Sequence, residues 1–190
     1  MSKRNHIEKI TMAAMLCAVG ILIPSFFPKI VIGPASYTLA SHVAIFMAMF
    51  ISPAVSIAVT LGTTLGFLIS GLPMVITLRA LSHIVFSTLG SFYLKKTTDT
   101  LSNGKKTLFF GTVVSVIHAL LEVIVVSFFY FGNALSEMNY TRGFFVSVIL
   151  LIGVGGFVHS MIDYYISCLI WNPVSKVLKT DLSVKRISLK

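Results

Sequence analysis

Two long apolar stretches dominate the chain, residues 108–131 and 143–171, broken only by isolated polar residues. A third, residues 74–93, is nearly as long. Each reaches or passes the roughly 20 residues a helix needs to cross a hydrocarbon core of about 30 Å. Charged residues make up 11% of the chain, against about 25% in a soluble domain, so most of the surface must face something other than water. A soluble globular fold is excluded on that ground.

Breaks in the apolar pattern divide the rest. Pro24 and Pro28 end a first apolar run, Ser52-Pro53 a second, and Ser70-Gly71-Leu72-Pro73 a third. The pattern predicts helices over 10–23, 38–51, 54–69, 74–93, 108–131 and 143–171. The fold class is therefore all-α: one transmembrane domain built as a bundle of six membrane helices, followed by a basic tail at 172–190. The first three are short for spans, which calls for kinks, tilts or structured loops. The basic N-terminus before an apolar run resembles a signal peptide, but no small-residue cleavage site follows, and it is read as a retained first helix.

Loop charges set the orientation. With the N-terminus in the cytoplasm, twelve Lys and Arg residues lie inside: Lys3, Arg4, Lys9, Lys95, Lys96, Lys105, Lys106, Lys176, Lys179, Lys185, Arg186 and Lys190. Only Lys29 and Arg142 lie outside. This asymmetry puts both termini in the cytoplasm, as an even number of spans requires. It also accounts for the net charge of +9 without a nucleic-acid partner. Cys17 and Cys168 sit inside apolar runs and read as small buried hydrophobes.

Seven ionisable residues fall inside the spans: His42, Arg79, His83, His118, Glu122, His159 and Asp163. Each is costly against lipid, so each should face the bundle interior. Arg79 with His83, His118 with Glu122, and His159 with Asp163 share i,i+4 spacing and hence one helix face. Arg79 falls about 9 Å, and Glu122 about 15 Å, below the outer ends of their helices. With His42 they converge in the outer half, while Asp163 is placed nearer the cytoplasmic side. Arg79 is the one Arg inside a span. Its planar fork suits a carboxylate, either on a bound anion or on Glu122, and the two can coexist. Four histidines with two carboxylates also allow a transition-metal site, and with it a metal permease. The chain has no P-loop, nucleophile elbow or H-E-x-x-H motif, so it supplies no ATPase of its own and shows no enzyme signature; His118 with Glu122 is the one pair on which an intramembrane enzyme could be built.

Small residues mark helix contacts: Ala14 with Ala18, Gly62 with Gly66, and Gly153, Gly155 and Gly156. The length, six short spans, basic N-terminus and Ala14-x-x-x-Ala18 together resemble the substrate-binding S component of energy-coupling factor (ECF) vitamin transporters. The segment PASYTLASHVAIFMAMFISPAVSIAVTLGTTLGFLISGLP, with TLRALSHIVFSTLGSFY after it, is similar to the niacin-specific branch. The resemblance covers the whole chain. It implies capture of a vitamin near the outer face of a bacterial plasma membrane, then toppling against a transmembrane coupling subunit driven by two ATPase subunits. It implies that Ala14 and Ala18 contact the coupling subunit, and that 24–37, 70–73 and 132–142 are gates. No cofactor is implied.

For niacin, a flat pyridine ring with one carboxylate, Arg79 would hold the carboxylate. His42 or His83 would meet the ring nitrogen, Tyr37 or a Phe would stack on the ring, and Glu122 and His118 would complete the site. Pantothenate, folate or a queuosine precursor are the alternative vitamins.

Overall fold

The protein is described by a computed structural model over residues 3–32, 34–97, 99–178, 182–184 and 187–189. Lys179, Lys185, Arg186 and Lys190 of the basic tail lie outside the described residues. The order is α1 (Lys3–Phe26), β1 (Lys29–Ile32), β2 (Ala35–Thr38), α2 (Val43–Ile51), α3 (Pro53–Ile69), α4 (Met74–Lys96), α5 (Gly104–Phe131), α6 (Glu137–Thr141), a π-helix (Phe145–Gly155) and α7 (Gly156–Val177).

Four described helical stretches are long and apolar enough to cross a membrane: Asn5–Phe26, Met74–Lys96, Gly104–Phe131 and Phe145–Val177. Pro53–Ile69 is apolar but shorter. Their outward faces carry Leu22, Leu89, Phe109, Leu120, Phe128 and Leu169, all exposed, as lipid contact requires.

The expected boundaries shift for local reasons. Pro24 does not end α1; it sits in the last turns, where the Ser25 hydroxyl donates to the Ile21 carbonyl at 2.6 Å and the Phe27 amide to Ile23 at 3.1 Å. The expected loop after it holds an antiparallel hairpin, with Lys29 opposite Thr38 and Ile32 opposite Ala35, so the fold is not wholly helical. Helix α2 starts at Val43 rather than at 38, because Ala40 takes the left-handed conformation (φ 67°) and ends any helical run before it. The Ser52-Pro53 break does what its residues dictate: Pro53 opens α3, and the Ser52 hydroxyl accepts from the Val55 amide at 3.3 Å. Gly71 (φ 72°) closes α3.

Helix α2 is the centre of the molecule, and all nine of its residues are buried. Phe46 and Phe50 pack on Phe86, Tyr164 and Trp171 of α4 and α7. Seryl and threonyl groups tie the surrounding helices where apolar burial gives no driving force. Thr60 meets Ser87 at 3.2 Å, Ser160 donates to Ser115 at 3.0 Å, and Ser91 donates to the Met49 carbonyl at 2.8 Å.

The described part of the tail packs on the bundle. Helix α7 runs on through Pro173 to Val177. The Ser183 and Val184 amides then donate to the last α2 carbonyls, Ile51 at 3.0 Å and Phe50 at 3.1 Å. Val184 and Ile187 are buried there, so two apolar residues anchor a segment that charge alone marks as solvated.

Small residues set the α1–α3 contact. A Cβ on Gly62 would stand 2.5 Å from the Cys17 sulfur, and one on Gly20 would stand 2.7 Å from the Thr63 hydroxyl. Gly62→Ala is therefore expected to cost about 1–3 kcal/mol through overpacking. Adding Cys17→Ala removes the clashing atom and should restore most of the loss in a thermal unfolding assay in detergent. A double variant no more stable than Gly62→Ala would contradict this packing.

Candidate functional site

The irregular backbone ahead of α2 positions the site. Residues 39–42 descend into the bundle without regular structure, which inside a membrane demands other hydrogen-bond partners. Asp163 of α7 supplies them. Its carboxylate accepts from the Ala40 amide at 2.7 Å, the His42 amide at 2.9 Å and His42 Nδ1 at 3.1 Å. The Ser41 hydroxyl bridges to His159 Nε2 at 3.0 Å. Asp163 thus stands beside His42 rather than apart from it toward the cytoplasmic side, because the chain has already dropped into the bundle before α2 begins.

A second cluster joins α4 and α5. Arg79 lays its fork on Glu122, Nε to Oε1 at 3.1 Å and Nη2 to Oε2 at 3.0 Å. His83 Nε2 stands 3.2 Å from the same Oε1, and His118 Nε2 stands 3.5 Å from it. The two imidazoles meet at 3.2 Å. Two of the three i,i+4 pairs are direct contacts: His118 with Glu122, and His159 with Asp163 at 3.4 Å. Arg79 and His83 share Glu122 as a common partner. The His42 ring packs edge-on between the clusters, with centroids 5.0 Å from His83, 4.7 Å from His118 and 5.1 Å from His159.

A cavity of about 100 Å³ opens onto these groups. Arg79, His83, Glu122 and His42 line it, with Ser41, Thr38 and Thr63 adding hydroxyls and Lys29 a second cation from the hairpin. Phe67, Leu72 and Ile76 give it an apolar side. It is well below the roughly 300 Å³ at which drug-sized pockets begin, so it fits a compact solute. Guanidinium offers five N–H donors, and two are spent on Glu122. Nη1 makes no hydrogen bond among the described residues, so Arg79 is an internal ion-pair partner and still has donors for an anion.

Two of the expected site residues stand behind the cavity rather than in its wall. His118 is fully buried beside His83. Tyr37 rests edge-on against His159, with ring centroids 5.6 Å apart, and donates its hydroxyl to the Leu151 carbonyl in the π-helix. Gly155 makes that contact possible, since a Cβ there would collide with the Tyr37 hydroxyl. Thr38, Ser41, Thr63 and Lys29 were not anticipated; their one sequence signal is polarity beside a Pro-rich break or within a span.

The histidines also hold metal-like spacing. His42, His83, His118 and Glu122 each bring a ligand atom within 4.8 Å of the others. The outer shell such a site needs is incomplete, because Nδ1 of His83 and Nδ1 of His118 have no partner among the described residues.

No family model matches the chain, and no solved structure matches it. One curated protein is similar over almost its whole length: the niacin transporter NiaX of Lactococcus lactis subsp. cremoris (strain MG1363) is 42% identical over 189 residues, covering 99% of this chain and 84% of that protein. That identity, over nearly all of this chain and most of the relative, shows that the chain belongs to the NiaX family of niacin transporters, the niacin branch of the S components.

Proposed function

We propose that this protein is the S component that captures niacin at the outer face of a bacterial plasma membrane. It then hands the vitamin on through a transmembrane coupling subunit and two ATPase subunits. The observation that carries the reading is Arg79, fixed by Glu122 and still offering donors to a 100 Å³ cavity, in a chain 42% identical to a niacin transporter. Nicotinate brings the carboxylate that a guanidinium fork recognises and a ring small enough for the space. Helices α1, α3, α4 and α5, the segment 39–42 continued by the short α2, and the π-helix with α7 make the six crossings. The excess of Lys and Arg on one side supports a cytoplasmic position for both ends.

The coupling contact has support on α1. Ala14 and Ala18 are exposed, while Ala13, Cys17 and Gly20 turn toward the bundle. A bare small-residue face lets another backbone approach closely.

The test is calorimetric titration of purified protein with nicotinate and with nicotinamide. Nicotinamide keeps the ring and replaces the charged carboxylate with a neutral amide. It should bind roughly 30-fold or more weaker, the cost of losing one partner of a buried charged pair. Equal affinities, or no nicotinate binding, would overturn the proposal.

A further inference from the structure

A second and much larger cavity of about 810 Å³ lies between α4 and α5. Its length is apolar, walled by Leu89, Val113, Ile117 and the stacked rings of Tyr93 and Phe110, 5.9 Å apart and 15° from parallel. One end alone is polar, where Lys105 and Lys106 open α5. Lys95 and Lys96 close α4 beside it, so four lysines belong to one connection. Asp99, the acid in that connection, pairs with Lys106 at 2.8 Å, but both side chains are more than half exposed. Such a surface pair contributes little and exchanges partners freely.

An apolar slot facing lipid with a cluster of cations at one end has the division of a phospholipid. We infer that this slot binds an anionic glycerophospholipid, its acyl chain between α4 and α5 and its phosphate on Lys105 and Lys106. The first-turn amides of α5 add to the attraction for phosphate, since a helix start favours negative charge. The slot shares no residue with the niacin cavity. The inference rests on membrane placement alone and stands or falls separately from the substrate.

Purified protein in mild detergent is incubated with phosphatidylglycerol or phosphatidylcholine of identical acyl chains, and bound lipid is counted by native mass spectrometry. Phosphatidylglycerol should be retained in preference to phosphatidylcholine. Lys105→Gln with Lys106→Gln should weaken its retention roughly 10- to 30-fold. Val113→Trp, which fills the slot, should displace both lipids, with gel filtration and thermal unfolding in detergent reporting that each variant is folded. Equal retention of the two lipids, or phosphatidylglycerol binding untouched by the lysine or tryptophan changes, would overturn the assignment.

Discussion

Arg79→Ala is expected to weaken nicotinate binding by roughly 30- to 1,000-fold, equivalent to about 2–4 kcal/mol. The guanidinium is held by two hydrogen bonds to Glu122 and lines the cavity, so it reaches a ligand without having to be ordered first. Preorganisation of that kind lowers the entropy cost of binding. Arg79→Lys separates charge from shape. It keeps the cation and loses the planar fork, so its affinity should fall between wild type and alanine. Both variants are measured by titration calorimetry, with gel filtration to confirm a monodisperse protein. Unchanged affinity in a folded Arg79→Ala protein would remove Arg79 from the binding site.

Glu122→Ala is the most damaging single change expected for the fold. It strands the guanidinium and removes the shared partner of His83 and His118. Breaking a buried ion pair from one side costs about 3–5 kcal/mol. At 2–4 °C per kcal/mol for a chain of this size, the unfolding midpoint should fall by roughly 6–20 °C. Arg79→Ala together with Glu122→Ala removes both charges, so the double variant should be more stable than Glu122→Ala alone. If the two losses instead add, the pair carries no coupling energy.

Much of the site was legible because ionisable residues in apolar runs are rare and must find one another. Counting from the helix ends set Arg79 and Glu122 in the same half of the bundle, and they meet. The same counting put Asp163 too far from His42, because it assumed a helix from 38 where Ala40 breaks the backbone. The hairpin was hidden: Lys-Ile-Val-Ile is too short to show alternation, and three of its four residues are apolar. The π-helix leaves no periodic mark either. Its glycines read as generic helix contacts, whereas Gly155 admits Tyr37 and a Cβ on Gly156 would come within 3.3 Å of Glu122. In the described part of the tail, the burial of Val184 and Ile187 was hidden as well, since two isolated apolar residues among lysines make no pattern.

The shortness of α2 bears on how cargo gets through. Nine residues rise about 14 Å, less than half of a 30 Å hydrocarbon core. In the proposed reading, a solute held beside His42 would have only the length of α2 between it and the Ser52-Pro53 turn. What lies ahead is a stopper of tightly fitted rings, Phe46, Phe50, Phe86 and Trp171, each fully enclosed. Prising that stopper open would expose its whole interior. Tilting the bundle as a body, with Leu22, Leu89, Phe109, Leu120, Phe128 and Leu169 facing outward, would leave that stopper packed.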